Sequence, residues 1–206
     1  MKRFLRNNGL SLVLLLMFVA FWAAQSVAGF HVFNDDQELH GKPLVNYGEY
    51  LASGHFWQAT GENWESEFLQ MGFYVILTTF LFQKGSAESN DPDEAEEVAR
   101  KRRAKQGSWL YRNSLSLAFL LLFSLSFVVH ALGGWKEANQ ERQEHGQPLE
   151  TIGEFLGGSE FWFQSFQNWQ SEFLAVLSIV VLSIFLRQAG SPESKAIEEP
   201  DSKTGG

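Results

Sequence analysis

Two glutamates at equivalent places in the chain have the type and spacing to do chemistry. Glu67 lies in the segment Asn-Trp-Glu-Ser-Glu-Phe-Leu (63–69), and Glu172 lies in Asn-Trp-Gln-Ser-Glu-Phe-Leu (168–174), 105 positions later. Two carboxylates that lie close together share a proton or a cation, because their negative charges repel. Inward-facing ionisable groups at a membrane boundary often mark an ion or proton path. Glu67 and Glu172 are therefore a candidate functional pair at the outer mouth of a helical bundle.

The same two segments also have a structural interpretation, as the starts of membrane helices. An asparagine before a helix accepts hydrogen bonds from free backbone N–H groups, and tryptophans collect at membrane interfaces. The caps and interface anchors that we expect on this interpretation are Asn63, Trp64, Asn168, Trp169, Trp57 and Trp162.

A histidine followed by Gly-x-Pro occurs in both halves of the chain, at His40 and at His145. A glycine after a helix commonly ends it, and a histidine in the last turn can bind the free carbonyl groups. A capping-box pattern follows each turn and predicts a short helix. Histidine with glutamate could hold a metal ion, but the sequence has no close His-x-x-x-His pair. We expect no metal and no cofactor, and the candidate loop residues are His40, His145, Glu49 and Glu154.

These paired motifs belong to an internal repeat. Residues 4–89 align with residues 109–194 without a gap, and 34 of the 86 pairs are identical. Each repeat contains two apolar blocks, so the second repeat enters the membrane in the same orientation as the first. The sequence therefore predicts two parallel tandem repeats related by an axis along the membrane normal.

The four apolar blocks predict an all-α integral membrane protein with four transmembrane helices and short interfacial or extracytoplasmic helices, since a span needs about 20 apolar residues. The first block also resembles a signal peptide, but its internal copy favours a retained helix. The predicted organisation is repeat 1 over 1–89 (spans about 9–29 and 64–83), a charged cytoplasmic linker over 90–108, repeat 2 over 109–194 (spans about 110–132 and 169–187) and a disordered tail over 195–206.

The charges predict topology and exclude some partners. Most basic residues, including Arg3, Arg6, Lys84 and the cluster 100–105, flank one side of the spans. The positive-inside rule then places both termini and the linker in the cytoplasm. The formal net charge of -8 comes largely from the acidic linker and the tail and says little about a nucleic-acid partner. No basic stripe large enough for a nucleic-acid footprint is present, which argues against such a partner. The expected partners are the lipid bilayer and either a second copy of the chain or another membrane protein. With no cysteine, thiol chemistry is excluded.

The motifs resemble those of a family of uncharacterised bacterial integral membrane proteins, a domain of unknown function. The segments that carry the resemblance are Arg-Asn-Asn-Gly-Leu-Ser-Leu (6–12), His-Gly-x-Pro (40–43), Gly-Glu-Tyr-Leu (48–51), Asn-Trp-Glu-Ser-Glu-Phe-Leu-Gln (63–70) and Gly-Ser-Ala-Glu-Ser (85–89). The resemblance implies a bacterial inner membrane location and transfers no site residues, because the family has no assigned activity.

The function that we expect from the sequence is a non-enzymatic one. The chain is predicted to be a membrane structural or interaction protein with an outward-facing, Trp-rich helical cap. The first alternative is a small ion or proton channel or transporter that uses Glu67 and Glu172. The second alternative is a membrane enzyme or its accessory subunit.

Overall fold

The chain is all-helical over the residues that the computed structural model describes, 2–103 and 107–205, which contain no β strand. Lys105 of the predicted basic linker lies outside the described residues. The helices are α1 (Lys2–Leu39), α2 (Tyr47–Leu51), α3 (Gly54–Leu77), α4 (Ala95–Arg103), α5 (Trp109–Arg112), α6 (Ser114–Glu144), α7 (Ile152–Gly157) and α8 (Ser159–Phe185), with a 3-10 turn at Pro92–Glu94 before α4. The predicted all-α class is confirmed.

Three helices among the described residues are long and apolar enough to cross a membrane: α1 from Arg3, α6 and α8. Their apolar side chains are largely exposed; Leu10 of α1, for example, is 75% exposed. The sequence predicts a fourth span over 64–83, but α3 ends at Leu77. The hydroxyl groups of Thr78 and Thr79 donate to the carbonyl of Val75 at 3.2 and 3.1 Å, and such local bonds compete with a continuing helix.

The helix ends predicted at Gly41 and Gly146 and the two predicted short helices are confirmed. Gly41 and Gly146 have φ of 66° and 63°, in the left-handed region that ends a helix. Asn46 begins α2 and Thr151 begins α7, each with a complete capping box. The sequence therefore defines these turns locally.

The first compact unit contains Met1–Ala59 and Leu132–Leu149. Its core is formed by Phe33, Tyr50 and Phe56, against which Trp22 and Phe30 pack. The loop before α2 is fixed to α1, because the Asn34 side chain both donates to and accepts from the backbone of Val45, at 3.0 and 2.9 Å. This unit joins α1, α2 and the ends of two longer helices.

The second compact unit contains Thr60–Ala131 and Glu150–Gly206. Here α3 and α6 cross closely at Gly61, where an added methyl group would lie 2.8 Å from the Cα of His130. Small residues allow such close approach of helix backbones. Each compact unit thus includes parts of both halves of the sequence, and the tandem division at the linker remains a prediction.

The described part of the segment that the sequence predicts to be disordered, 195–205, forms turns. The buried ammonium group of Lys195 donates to four backbone carbonyls, those of Gly85, Ile184, Asp201 and Lys203, at 2.5 to 3.1 Å. These bonds attach the segment to the loop after α3 and to the end of α8.

Candidate functional site

A glutamate and a histidine form a fully buried pair in the second compact unit. Glu65 of α3 and His130 of α6 are both 0% exposed, and His130 Nδ1 lies 2.9 Å from Glu65 Oε2. Buried ionisable groups are costly unless they are paired and hydrogen-bonded. The pair is therefore the strongest candidate in the second unit for a group with a specific role.

The partners of the pair determine where its protons lie. His130 Nε2 is 3.2 Å from the amide oxygen of Gln164, so this nitrogen donates. The indole N–H of Trp169 donates to the other oxygen of Glu65 at 3.0 Å. One proton then lies between Nδ1 of His130 and Glu65, giving either an ion pair or two neutral groups. In both arrangements the pair has no net charge, which lowers the cost of placing it inside a helical bundle.

Aromatic and glycine contacts hold the pair in place. The imidazole ring of His130 stacks on the phenyl ring of Phe161, with 4.6 Å between centroids and 28° between planes. Phe161 itself is 0% exposed. On the other side, the absence of a side chain at Gly61 brings α3 against the backbone of His130. The ring is thus enclosed and its orientation is fixed by packing.

Sequence reasoning missed Glu65 and His130, although the repeat contains a signal for both. Glu65 corresponds to Gln170 in the second repeat, and His130 corresponds to Gln25 in the first. At both positions one copy has an ionisable residue where the other has an amide. A search for such differences within the apolar blocks, rather than for identities, would have found the pair.

The predicted pair Glu67 and Glu172 lies outside this buried cluster. The side chain of Glu67 is exposed and that of Glu172 is half-buried. They are close enough for the charge of Glu67 to act on Glu172. The two helices are joined here by Gln70, whose side chain donates to the backbone carbonyl of Glu172 at 2.8 Å.

The predicted capping role of Asn63 and Asn168 is wrong. Asn63 and Trp64 lie within α3, which begins at Gly54, and Asn168 and Trp169 lie within α8, which begins at Ser159. The physical reason is that the preceding polar, aromatic segment continues as helix, so no free backbone N–H groups remain at these positions. Asn168 instead donates its side-chain amide to Glu62 at 2.5 Å.

The tryptophans have different surroundings. The indole N–H of Trp169 donates to the buried carboxyl group of Glu65, so this polar group is used in packing between helices. Trp162 donates to the carbonyl of Leu156 at 2.8 Å, linking α8 to α7. Trp57 is 38% exposed and packs edge-on against Phe56. Of these three residues, only Trp57 presents much of its surface to the outside.

His40 and His145 line one cavity of about 510 Å³ in the first compact unit. Each ring lies at a helix end, with Nδ1 at 2.9 Å from the carbonyl of Asp36 and at 2.8 Å from that of Glu141, respectively. Both histidines therefore lie at the helix ends where the sequence places them. His55 lies in the same cavity, and burial lowers the pKa of its imidazole although Asp36 opposes this effect.

The other two candidate loop residues do not join the histidines. Glu49 and Glu154 accept from the backbone N–H groups of Asn46 and Thr151, both at 2.7 Å, and complete the capping boxes. The carboxylates that line the cavity are instead those of Asp36 and of α6 residues 137, 141 and 144. Among the described residues, no three histidine or acidic side chains are placed to hold one metal ion.

A second pair of equivalent glutamates meets beyond the end of α3. Glu88 and Glu193, from the repeated Gly-Ser-x-Glu-Ser segment, have side chains close enough to share a hydrogen bond when one carboxyl group is protonated. Burial raises the pKa of the Glu88 carboxyl, and the neighbouring Glu193 raises it further. The hydroxyl of Tyr74, which donates to Glu88 at 2.7 Å, opposes this rise. Two equivalent glutamates of the repeats thus lie together at positions 88 and 193, which is the kind of pairing that the sequence predicted for Glu67 and Glu172.

These features define an all-helical protein with three helices of membrane-spanning length and apolar composition. The chain belongs to the family described as a domain of unknown function (DUF6766), whose model matches residues 1–206. The resemblance to an uncharacterised family is therefore confirmed. No curated protein and no solved structure matches the chain.

Proposed function

We propose that this protein is a multi-pass protein of the bacterial inner membrane with a structural or interaction role. In this proposal α1, α6 and α8 are three of four spans, and α3 with the residues after it supplies the fourth. The spans belong to two parallel tandem repeats, and both termini and the linker lie in the cytoplasm. The exposed leucines of α1 and α6 support the placement, because such surfaces are unfavourable in water.

The observation that carries the structural role is the way in which the buried ionisable residues bind one another. Glu65, His130, Gln164 and Trp169 use their polar groups within a single cluster. Such a cluster connects α3, α6 and α8 and specifies how they pack. The interaction role is assigned to the outward-facing aromatic segments, where Trp57 and Phe163 are exposed at 38% and 68%.

The interaction role is tested by site-specific photo-crosslinking in intact membranes. A photoreactive residue at Trp57 or at Phe163 is expected to give a discrete protein adduct, either a second copy or another membrane protein. The control carries the same residue at Leu16, which is 69% exposed on the apolar surface of α1 and should contact lipid. Absence of any discrete adduct from both outward positions would refute the interaction role.

The second candidate function is a proton or ion path through Glu67 and Glu172. The observation that favours it is that Gln70, three residues after Glu67 on α3, donates to the backbone carbonyl of Glu172 at 2.8 Å, so α3 and α8 touch close to both glutamates. Glu67→Gln combined with Glu172→Gln should then abolish proton or ion flux in proteoliposomes. Glu49→Gln, in the α2 capping box, is the matched control. Folded wild-type protein that conducts none of the tested ions would exclude this function.

A further inference from the structure

A second cavity, of about 660 Å³, lies within the second compact unit between the end of α3, α4 and the start of α6. Its polar lining includes three cationic side chains and several neutral ones: Lys101, Arg102, Arg112, Thr78, Asn90 and Ser116. In the described part of the chain, none of its lining residues is acidic. The cavity therefore has the charge of a site for an anion.

Two of the three positive charges are not neutralised by a carboxylate among the described residues. Lys101 forms an ion pair with Glu97 at 2.8 Å. Arg102 instead lies over the ring of Phe80, 4.6 Å from its centroid, and Arg112 donates to the backbone carbonyl of Arg102. These contacts hold both guanidinium groups in place and leave their charges available.

Two neutral polar side chains of the cavity, those of Thr78 and Asn90, already donate to backbone carbonyls. Thr78 donates to the carbonyls of Tyr74 and Val75, and Asn90 donates to the carbonyl of Thr78. The remaining hydrogen-bond donors for a ligand are chiefly those of Arg102 and Arg112. Guanidinium groups match phosphate oxygens well, because their N–H groups form a rigid fork.

Apolar residues complete the lining of the cavity. Val75, Val98 and Leu115 lie beside the two arginines. A free phosphate would use only the charged part of this surface, whereas a lipid would place its headgroup at the arginines and its acyl chains along the apolar part. Basic cavities at the cytoplasmic ends of membrane helices commonly bind lipid headgroups in this way.

We infer that this cavity binds the phosphate of an anionic phospholipid headgroup through Arg102 and Arg112. The two free positive charges favour an anionic lipid over a zwitterionic one of the same size. This inference rests on the proposed membrane placement, with the linker and this end of α3 at the cytoplasmic face.

The test is native mass spectrometry of the full chain in micelles with added phosphatidylglycerol or phosphatidylcholine. The cavity variant is Arg102→Gln with Arg112→Gln. The matched control is Arg100→Gln with Arg103→Gln, which removes two charges from α4 outside the cavity lining. The cavity variant should bind phosphatidylglycerol about thirtyfold more weakly, since each arginine near an anionic lipid contributes about fivefold. The control should differ from the wild type by less than about twofold.

Three results would overturn the inference. The cavity variant and the control variant could lose the same affinity for phosphatidylglycerol, or the wild type could bind phosphatidylglycerol and phosphatidylcholine equally well. The third result is displacement of phosphatidylglycerol by inorganic phosphate. Arg112→Lys keeps the charge without the fork and should weaken binding by less than the roughly fivefold expected for losing the charge of one arginine, so the inference remains testable if the double variant does not fold. Extraction of the chain from membranes by alkaline carbonate would instead refute the membrane placement itself.

Discussion

Replacing Glu65 should destabilise the protein far more than replacing Glu67, two residues away on the same helix. Glu65 is 0% exposed and its carboxyl group is bound by both His130 and Trp169. Glu65→Ala would leave both partners unpaired beside a cavity, and breaking a buried pair costs about 3–5 kcal/mol. Glu67 is exposed, so Glu67→Ala should change the stability by less than about 0.5 kcal/mol.

An isosteric change separates the loss of hydrogen bonds from the loss of charge. In Glu65→Gln the amide oxygen can still accept from Trp169, and the amide N–H can donate to Nδ1 of a neutral His130 ring. The expected cost is then only about 1 kcal/mol, the net value of a typical hydrogen bond. A cost close to that of Glu65→Ala would show that the pair is an ion pair rather than two neutral groups.

The assay is equilibrium unfolding in mixed micelles with increasing SDS, followed by far-ultraviolet circular dichroism. All three variants are compared with the wild type under one condition. If Glu65→Ala and Glu67→Ala lose the same free energy of unfolding, the buried pair does not stabilise the helix packing. The structural role assigned to it would then be wrong.

Three further changes test other contacts. Gly61→Ala should lower the free energy of unfolding by about 1–3 kcal/mol in the SDS assay, because its methyl group would overlap the α6 backbone. Gly9→Ala is the control: no atom lies within 4 Å of the added methyl group, so the free energy of unfolding should not fall. The raised pKa of Glu88 stabilises the folded state below the unfolded pKa of about 4.3, and this stabilisation is lost as pH rises through the folded pKa. Glu88→Gln should therefore raise the melting temperature near neutral pH and flatten its pH dependence; an unchanged pH profile would contradict this. Lys195→Met removes the donor to four carbonyls, so glutamyl endopeptidase should cleave the tail at least about tenfold faster, and equal rates would contradict the role of Lys195.

Much of the local structure could be predicted from the sequence because it depends on neighbours along the chain. The glycines at 41 and 146 end helices through their own backbone conformation, and the capping boxes at Asn46 and Thr151 use residues three positions apart. The apolar blocks likewise indicate membrane-spanning helices by composition alone. Three helices among the described residues are long and apolar enough to cross a membrane.

Identities in the repeat were a weaker guide to the site. They drew attention to Asn63 and Asn168 as caps, yet both lie inside long helices. A sequence pattern does not show whether a polar segment before an apolar run is a loop or an extension of the same helix. Propensity for helix is weak in such segments, and tertiary packing decides.

The sequence by itself determined the helix class, the helix ends at Gly41 and Gly146, the starts of the two short helices and the apolar surfaces of this protein, since periodicity, capping and composition act over a few residues. Only the tertiary structure decided which ionisable groups meet. Glu65 and His130 are 65 positions apart, and Glu88 and Glu193 are 105 apart. Their pairing depends on how α3 and α6 cross at Gly61 and on how the chain turns after α3 and α8, and neither is encoded in any local pattern.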